Sequence, residues 1–500
     1  MAVKRFLIFD FGASNGRVSV ARFDGNKFEI ETIHRFENIP VYATEILYWD
    51  VLRLYNDLKI GILKATSKYK DIISLGIDTW GVDFGFIDKN GKLISNLEHY
   101  RDKRRFEITE NFFKVISRKE LFNLTGGLIL PGISSIFHLY DLKIRKATQY
   151  TNAYKFLMLP DLFNYFLTGN TFNEYTEATT SIMVNQATRR WEDRIFEKTG
   201  FPKELFCELI EPGTVVGILQ ENVIEELNIN PIKVVAPATH DTASAIAGFP
   251  IVDKKVKENT LLVSLGTWGI IIQETSKPII NDLVYELGFA NEGGVEGLNM
   301  LAINITGLWI IQQCMIQWRK EMGENFDWKD IDNLYPKAQE FKSYIDVDDQ
   351  IFSQVSTDMR QTIINYCRDK NQNIPENIGQ IARTLYENLI FKIKSKINAM
   401  ERIVNNKIDS IHIVGGGSRN KLFCQWLADS TGLKVASGPA ETTSIGNLLM
   451  QLKAEGEINS LEEGRQISYN SSEILIYEPN DSMRQTWESH YEKYMKFISS

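Results

Sequence analysis

The sequence predicts an α/β protein made of two related domains, and three observations support this. The chain has 500 residues, which is too long for one compact core. A strand–turn–strand pattern near residues 6–23 returns, in imperfect form, near residues 261–272. Amphipathic segments with helical spacing, above all residues 378–403, alternate with short apolar runs typical of strands. We therefore expect each domain to combine a sheet with packed helices.

The composition is that of an ordinary globular protein, with 43% hydrophobic and 24% charged residues. The net charge of −8, with Lys and Arg spread along the chain, disfavours binding to nucleic acid or to a membrane surface. The sequence has neither a signal-peptide pattern nor an uncharged apolar run long enough to span a bilayer. We expect a cytoplasmic protein with no nucleic-acid or membrane partner.

The cysteines and histidines predict neither a disulfide framework nor a structural transition-metal site. The four cysteines are isolated and show no CxxC spacing, as in a reducing compartment. The six histidines show neither HxxxH nor HExxH spacing.

The first half of the chain should open with an antiparallel meander over residues 6–36, whose first turn is rich in glycine. Residues 171–185 resemble a strand with Thr-rich turns. The other elements predicted here are a helix at Val51–Ala65, a strand at Ile72–Asp78, a helix start at Ser117 with Glu120 three residues on, and a helix from Pro160–Asp161 to Gly169.

The polar segment at residues 252–259 is the predicted domain boundary. We expect an N-terminal domain at residues 1–250, a C-terminal domain at 251–460, and an extension with an amphipathic helix at 461–500. The elements predicted in this half are a helix at Ile378–Ile403, a strand at 411–414, a helix from Asn420 to Gly432, a helix at 441–454 and a packed helix at Met483–Phe497.

Asp10 ends the first apolar strand and is followed by a glycine-rich turn at residues 12–17. A carboxylate at such a strand end suits a hydrated Mg²⁺ beside phosphate. Ser14 and Asn15 can donate to phosphate oxygens, and Arg17 adds positive charge. A plain β-turn, with Asp10 bonded to its own backbone, explains the same pattern equally well.

The turn is neither a P-loop nor a dinucleotide-binding turn, because GxxxxGK[ST] is absent and a strand rather than a helix follows. A strand–hairpin–strand phosphate site, repeated at Ser264–Gly269, indicates the actin-like nucleotide fold, with Thr267 facing the terminal phosphates. The glycine triplet at 415–417 then suits an adenosine, although an ordinary strand-to-helix loop is the alternative.

His240 and Asp241 follow an apolar run and are surrounded by small residues at 236–244. Small neighbours leave room for a ligand, and a carboxylate there can accept the proton of an alcohol that attacks a phosphoryl group. A hydrogen-bonded structural pair is the alternative, and for an isolated His-Asp dipeptide it is the better interpretation.

Six motifs together resemble the FGGY family of carbohydrate kinases along nearly the whole chain, over about residues 6–450. They are DFGASNGR at 10–17, GIDTWGVDFGFID at 76–88 with YRD at 100–102, ATHDTASAI at 238–246, SLGTWG at 264–269, NITGLW at 304–309 and IHIVGGGSRN at 411–420. The resemblance implies two ribonuclease-H-like (actin-like ATPase) domains with the active site in the cleft between them. Within the family, GIDTWGVDF at 76–84, EYTEATTS at 174–181 and THDTASA at 239–245 most resemble kinases of L-rhamnulose. This resemblance implies transfer of the γ-phosphate of ATP, with Mg²⁺, to the 1-hydroxyl of that sugar.

The resemblance also implies roles for individual residues. Asp241 matches the catalytic base, and His240 and Gly81 match sugar-binding positions. Asp10 matches the residue near Mg²⁺. The positions that match ATP contacts are Ala13, Ser14, Asn15, Gly16 and Arg17 in the first hairpin, with Thr267, Asn304, Gln312 and Gly416 further along. From their positions alone, Trp80 and Asp83 are predicted to line the sugar pocket.

Two alternatives remain open at this stage. A kinase of the same family acting on another ketose, such as L-fuculose or L-xylulose, needs only a few changes in the pocket. An actin-like ATPase acting as a switch is less consistent with Asp241 preceded by His240, because a switch needs no alcohol base. The expected partners are a ketose and ATP, and the protein is predicted to be a monomer or a homodimer.

Overall fold

The structure, a computed structural model, describes residues 3–250, 259–353 and 358–499. These residues form two compact units. Unit 1 takes its described residues from Met1–Ile251, Glu274–Leu301 and Glu441–Ser472, and unit 2 from Val252–Gln273, Ala302–Ala440 and Glu473–Ser500. The division predicted at residues 250 and 460 stays a prediction, and residues 252–258 of its boundary lie outside the described residues.

Unit 1 contains all the described strands and α-helices before residue 250. Its strands there are β1 (Lys4–Phe11), β2 (Asn15–Phe23), β3 (Phe28–Glu37), β4 (Val41–Ala43), β5 (Ile46–Trp49), β6 (Ile72–Thr79), β7 (Phe84–Ile87), β8 (Leu97–Glu98), β9 (Lys155–Met158), β10 (Asn173–Glu174), β11 (Val184–Asn185), β12 (Arg190–Trp191), β13 (Leu209–Ile210), β14 (Thr214–Ile218) and β15 (Lys233–Ala236). Its helices there are α1 (Val51–Lys68), α2 (Arg104–Phe113), α3 (Arg118–Thr125), α4 (Ser135–Ile144), α5 (Thr148–Thr151), α6 (Leu159–Thr168), α7 (Tyr175–Thr180), α8 (Asp193–Thr199), α9 (Glu221–Leu227) and α10 (Asp241–Ala247).

The remaining elements follow residue 259. The strands are β16 (Thr260–Leu265), β17 (Trp268–Thr275), β18 (Ala290–Gly293), β19 (Asn299–Thr306), β20 (Ser410–Val414), β21 (Lys434–Ser437) and β22 (Leu475–Tyr477). The helices are α11 (Asp282–Glu286), α12 (Trp309–Met322), α13 (Trp328–Leu334), α14 (Met359–Asp369), α15 (Ile378–Val404), α16 (Lys421–Thr431), α17 (Thr442–Ala454), α18 (Leu461–Ser471) and α19 (Asp481–Ile498).

The main sheet of unit 1 has six strands in the order β14-β15-β6-β1-β2-β3. β1, β2 and β3 pair antiparallel, which confirms the predicted meander. β6 runs parallel to β1 and β15 parallel to β6, while β14 returns antiparallel to β15. Leu7, Phe9 and Phe11 of β1 are fully buried in one core cluster with apolar residues of α1. Parallel pairing at β1 and β6 brings the ends of both strands to the same edge of the sheet.

Six strands of the second sheet repeat this plan in the order β19-β17-β16-β20-β21-β22. β16 and β17 form an antiparallel hairpin, β20 runs parallel to β16, and β21 runs parallel to β20. β22 closes the series antiparallel to β21, as β14 does in unit 1. The predicted repetition of the strand–turn–strand pattern is therefore confirmed.

The prediction of strand for residues 171–185 is wrong over its middle. Only β10 and β11 are strands there, and residues 175–180 form helix α7. The carboxylate of Glu174 accepts hydrogen bonds from the backbone N–H groups of Thr176 and Glu177, at 2.9 and 3.1 Å. Such a cap satisfies the first free amides of a helix. This local cap outweighs the low helix propensity of the Thr-rich run.

The longer helices follow their predictions closely. Gly169 caps the C-terminus of α6 in the left-handed conformation (φ 77°), and Asn420 caps the N-terminus of α16, where its side chain accepts a hydrogen bond from the amide of Phe423. α19 buries Trp487, Tyr491 and Tyr494, which confirms that the predicted C-terminal helix is packed. No helix among the described residues is long and apolar enough to cross a membrane.

Candidate active site

Two carboxylates lie side by side where β1 and β6 end. The parallel register places Asp10 opposite Asp78. Arg17, on the neighbouring strand, donates from Nε to Asp10 Oδ2 at 2.8 Å, and it also pairs with Glu441. The other oxygen of Asp10 accepts no hydrogen bond from any described residue. Asp10 therefore has one oxygen left for a ligand.

The turn after Asp10 has a defined backbone rather than a loose one. The amide of Gly12 donates to the carbonyl of Asn15 at 2.9 Å, and the amide of Asn38 donates to the carbonyl of Ser14 at 3.1 Å. Ser14 and Asn15 are exposed at its tip, while Ala13 is half-buried. A Cβ on Gly16 would overlap the ring of Phe36, at 2.1 Å, so this glycine also has a packing role.

Asp78 is a buried carboxyl that ties together three elements of unit 1. It accepts hydrogen bonds from Ser244 Oγ on α10 at 2.8 Å and from Asn447 Nδ2 on α17 at 2.7 Å. Burial raises the pKa of Asp78 well above its ordinary value, and the nearby Asp10 raises it further. Asp78 therefore fixes α10, and with it Asp241, relative to the end of β1.

α10 and α17 contact each other through glycines. A Cβ on Gly446 would lie 1.8 Å from the carbonyl oxygen of Ser244, and one on Gly248 would lie 2.2 Å from that of Thr442. Only glycine permits such backbone approach. The helix that begins at Asp241 is thus fixed by backbone contact as well as by Asp78.

His240 and Asp241 follow β15, as the apolar run predicts, and they stand at the N-terminus of α10, a helix that was not predicted from the sequence. Asp241 Oδ1 lies 3.7 Å from His240 Nε2, and on the other side of the ring His240 Nδ1 lies 3.7 Å from Glu292 Oε2. Thr242 Oγ1 donates to Asp241 Oδ1 at 3.2 Å. About a third of the Asp241 side chain (32%) is exposed, whereas His240 is mostly buried.

The electrostatic environment of Asp241 suits a proton acceptor near neutral pH. Burial of the carboxyl, assisted by the negative charge of Asp10, raises the pKa of Asp241 to about 7, against the opposing hydrogen bonds of Thr242. Burial lowers the pKa of His240, although Glu292 opposes that effect. A neutral imidazole therefore lies beside a carboxyl that titrates in the physiological range.

The segment at Gly81 and Val82 lies over α7 in an unusual conformation. Val82 has φ 73°, which is rare for a β-branched residue. Its amide donates to Thr180 Oγ1 at 2.9 Å, and its carbonyl accepts from Ser135 Oγ at 2.6 Å. A Cβ on Gly81 would lie 2.8 Å from Thr180 Cγ2. Backbone strain that neighbouring groups hold in this way is common at functional sites.

Trp80 and Asp83 are joined in a buried aromatic cluster. Both Trp80 Nε1 and Trp49 Nε1 donate to Asp83 Oδ2, at 2.8 and 2.5 Å, and Arg105 Nη1 lies 3.8 Å from Asp83 Oδ1. Burial raises the pKa of Asp83 to about 6, while Arg105 lowers it. Because Asp83 is fully buried, it holds the indoles in place and presents no surface to a ligand.

Helix α7 connects this cluster to the His240 segment. Its capping residue, Glu174, also accepts hydrogen bonds from Thr239, from Oγ1 at 2.7 Å and from the amide at 3.2 Å. The amide of His240 donates to Thr176 Oγ1 at 3.4 Å. A single short helix thus positions both Gly81 and His240.

In unit 2, three of the predicted nucleotide motifs meet around the hairpin at residues 265–268. Thr267 Oγ1 donates to Gln312 Oε1 at 3.0 Å, and the amide of Trp309 donates to the carbonyl of Thr267 at 3.1 Å. A Cβ on Gly417 would lie 2.5 Å from Leu265 Cδ2, so the glycine triplet packs on the same hairpin.

The two other nucleotide positions of unit 2 are open to a ligand to different degrees. Gly416 is exposed, with no heavy atom closer than 3.8 Å to a built Cβ, and Asn304 on β19 is half-buried. The structure therefore brings Thr267 and Gln312 into contact and places the triplet beside them, without showing a contact to Asn304.

A Mg²⁺ ion would find one protein ligand in unit 1. The described residues contain no group of three or more His, Cys, Asp or Glu side chains that could hold a metal. Asp10 has a free oxygen, and Mg²⁺ commonly binds through one or two carboxylates together with substrate phosphates and waters. Asp10 is therefore suited to bind a Mg²⁺ ion whose other ligands are the phosphates of a nucleotide and water.

Comparison with known proteins decides the family. The sequence model of the FGGY family of carbohydrate kinases, N-terminal domain, matches residues 5–248, and that of its C-terminal domain matches residues 261–455. The chain belongs to the FGGY family of carbohydrate kinases. It is therefore a phosphotransferase that acts on a sugar.

Several FGGY relatives match over nearly their full length. A rhamnulokinase from Oceanobacillus iheyensis is 35% identical, covering 94% of this chain and 97% of the relative. A rhamnulokinase from Bacteroides thetaiotaomicron is 34% identical, covering 98% of both chains. One from Halalkalibacterium halodurans is 36% identical, covering 94% of this chain and 98% of the relative.

Two solved structures of other kinases share the fold. The xylulose kinase from Lactobacillus acidophilus superimposes with a TM-score of 0.81 at 14% identity, covering 99% of this chain and 98% of the other. The Plasmodium falciparum glycerol kinase with ADP superimposes with a TM-score of 0.76 at 15% identity, with the same coverage. This likeness confirms the predicted fold class.

Three residues of the site were missed by reasoning from sequence. Asp78 ends a predicted strand, so its place beside Asp10 follows from parallel pairing once that pairing is known. Glu174 falls within the predicted strand at residues 171–185, so its role as the cap of α7 was not predicted. Glu292 lies in a stretch, residues 290–293, that has no motif and gave no signal.

Proposed function

We propose that this FGGY kinase transfers the γ-phosphate of ATP to the 1-hydroxyl of L-rhamnulose and releases ADP and L-rhamnulose 1-phosphate. The observation that supports the reaction best is Asp241, a partly exposed carboxyl with a pKa raised by burial to about 7 beside a neutral His240. The choice of sugar is supported by rhamnulokinases that are 34–36% identical over nearly the whole chain.

Asp241 acts as the general base. As the 1-hydroxyl attacks the γ-phosphorus, its proton passes to the Asp241 carboxylate, and the bond from phosphorus to the β,γ-bridging oxygen breaks. A positioned base of this kind is typically worth about 10²–10⁴-fold in rate. The rest of the acceleration comes from alignment of the reactants and stabilisation of the phosphoryl charge.

The sugar is bound by groups that α7 positions. His240 binds a hydroxyl of the ketose, the backbone at Gly81 lies against the ring, and Trp80 forms an apolar wall. Asp83 lies behind that wall and contributes by holding the two indoles, not by direct contact. Rigid support of this kind is what a binding site requires.

In unit 1, the hairpin residues that bind phosphate are Ala13, Ser14, Asn15, Gly16 and Arg17. In unit 2, Thr267 has the corresponding phosphate-binding role. The rest of the nucleotide is bound by Gln312, Asn304 and Gly416 of the glycine triplet. Gln312 also accepts a hydrogen bond from Thr267. Asp10 would hold a Mg²⁺ ion through its free oxygen, and that ion would neutralise phosphate charge when bound.

We also propose a cytoplasmic location and a monomeric or homodimeric state. The four cysteines are free and buried, which is consistent with a reducing compartment.

A ketose panel tests the proposed function. ADP release is measured for the purified protein with ATP, Mg²⁺ and, in separate reactions, L-rhamnulose, L-fuculose, L-xylulose and D-xylulose. We expect L-rhamnulose to give the highest kcat/KM, and NMR of the product to place the phosphate on the 1-hydroxyl. A higher kcat/KM with L-fuculose or either xylulose would contradict the choice of sugar. ADP release that no ketose increases would contradict the kinase reaction itself.

A further inference from the structure

Glu292 is a carboxylate whose surroundings in unit 1 leave it without a hydrogen-bond donor. It lies in β18, and its side chain is 16% exposed. Its Oε2 is 3.7 Å from His240 Nδ1, which is too far for a hydrogen bond. Neither Glu292 oxygen accepts a hydrogen bond from any described residue, and His240 Nδ1 has no hydrogen-bond partner among the described residues either.

A half-buried carboxylate with no donor is costly, so a ligand that supplies one would be bound favourably. Burial raises the pKa of Glu292 above its ordinary value, and His240 opposes this effect. Glu292 is close to the proposed sugar-site residues, because its Oε2 lies 3.7 Å from His240 Nδ1 and the charge of Asp241 also contributes to its raised pKa.

The position of Glu292 is fixed on both sides. The amide of Asn291 donates to the carbonyl of Gly126 at 2.8 Å, and the amide of Gly293 donates to Thr179 Oγ1 on α7 at 3.1 Å. A Cβ on Gly293 would lie 2.6 Å from the ring of Tyr175. The backbone on either side of Glu292 is therefore held, on one side by the same helix that positions Gly81 and His240, as the support of a preorganised binding group requires.

The other buried acids near this site do not share these properties. The carboxylate of Glu177 also lacks hydrogen-bond partners among the described residues, but it is fully enclosed, so a ligand could not touch it. Asp83 is fully buried and bonded to two indoles. Glu292 alone among these three acids has both a free carboxylate and exposed surface.

We propose that Glu292 is a specificity-determining residue that accepts a hydrogen bond from a ketose hydroxyl other than the one that is phosphorylated. This inference rests on the proposed function. Asp241 takes the proton of the reacting hydroxyl, and Glu292, on the opposite side of the His240 ring, selects the sugar by a second hydroxyl. A site built around such a hydrogen bond discriminates strongly against sugars that lack the hydroxyl, because the buried group is then left unpaired.

The test combines variants of Glu292 with sugars that lack single hydroxyls. Glu292→Gln keeps the shape and removes the charge, and Glu292→Leu removes all acceptors. Glu286→Gln, an exposed glutamate of α11 changed in the same way, is the matched control. Initial rates are measured with L-rhamnulose and with its 3-deoxy and 4-deoxy analogues, and thermal melting and ATP binding are recorded for each variant.

We expect Glu292→Gln to lower kcat/KM for L-rhamnulose about 10–100-fold, mainly through KM, and Glu292→Leu to lower it further. For one of the two deoxy analogues, wild type and both variants should have nearly equal kcat/KM, because the hydroxyl that Glu292 binds is missing. ATP binding and melting of the Gln variant should match those of Glu286→Gln.

Two results would overturn the inference: wild-type kcat/KM in Glu292→Gln, or the same proportional loss for L-rhamnulose and for both deoxy analogues. The second result would indicate a structural role. If the wild type prefers another ketose, the proposed function fails, and the same cycle of variants and deoxy analogues is then run on that ketose.

Discussion

The Asp241 carboxyl is subject to opposing influences that together set its proton affinity. Loss of hydration and the neighbouring Asp10 disfavour the charged form, and the bonds from Thr242 favour it, with the result that its pKa is raised to about 7. A base with this pKa is deprotonated for about half the time at neutral pH and still strong enough to accept an alcohol proton. At neutral pH the carboxylate form of Asp241 is therefore both well populated and basic enough to accept the proton.

The pH dependence of activity follows from the sign of that shift. Asp241 accepts a proton only when it is deprotonated, so protonation below its raised pKa of about 7 removes the base. We expect kcat/KM for the ketose, at saturating ATP, to fall about tenfold per pH unit below about pH 7 and to level off above it. The profile is measured between about pH 5.5 and 8.5 under conditions where melting shows the protein folded. A flat profile over this range would contradict the assignment.

The residues of the site were predictable where a motif fixes both residue type and place. Asp10 and Thr267 lie at a strand end and in a hairpin that the apolar pattern locates, and His240 and Asp241 follow an apolar run that it also locates, although the helix at Asp241 was not predicted. Asp83 shows the limit of this reasoning, because proximity to Trp80 in sequence gave no information on its burial. Glu292 could not be found at all, since its contact with His240 joins positions 52 residues apart that only the fold brings together.

At the scale of elements, the contact between α10 and α17 positions the catalytic group. Gly446 and Gly248 allow the two backbones to approach, and Asn447 of α17 bonds to Asp78 one residue away from that contact. α10 is thus constrained by a helix about 200 residues further along the chain, through two direct backbone contacts and, indirectly, through Asp78. Sequence periodicity predicted both ends of α17 but could not reveal which helix it contacts.

Substitution of Gly446 tests this contact. A Cβ in Gly446→Ala would lie 1.8 Å from the carbonyl oxygen of Ser244, so the helices must separate. We expect the free energy of unfolding to fall by about 1–3 kcal/mol and kcat to fall with it, because Asp241 moves with α10. Gly416→Ala, whose Cβ meets nothing closer than 3.8 Å, is the control and should change stability by less than about 0.5 kcal/mol. Equal stability of the two variants in denaturant titrations would contradict this account.

Helix α7 shows why one element was misread from sequence. Its residues have low helix propensity, and strand was the reasonable prediction on local grounds. The helix forms because Glu174 caps it and also bonds to Thr239, which lies 65 residues further along the chain. Tertiary hydrogen bonds of this kind override propensity and leave no periodic signal in the sequence.

At the scale of the whole molecule, one topology is used twice. Each main sheet has a hairpin, then parallel strands, then an antiparallel edge strand, in the same order. The sequence showed this only through its two phosphate-type hairpins, because the rest of the two halves has diverged. The assignment of residues 274–301 and 441–472 to unit 1 was not visible from composition, since it depends on long-range packing.

The two ligands should protect different parts of the chain from hydrogen exchange. With a ketose alone, we expect slower exchange of amides near residues 80–82 and 239–242. With a non-hydrolysable ATP analogue alone, we expect it near residues 12–17, 264–269 and 415–420. Binding stabilises the regions it orders, by about 2.7 kcal/mol at a ligand concentration 100 times Kd. Protection by the ATP analogue only at residues 80–82 and 239–242 would contradict the division of roles.

The central claim is that Asp241 is the base of a sugar kinase, and the Asp241→Asn variant tests it most directly. L-rhamnulose 1-phosphate formation and ATP binding are measured for this variant, for wild type and for Asp282→Asn, an exposed aspartate changed in the same way. We predict that kcat falls by about 10²–10⁴-fold in Asp241→Asn alone, with ATP affinity and melting temperature close to those of wild type. Turnover of the folded Asp241→Asn protein within a few fold of wild type would contradict the claim.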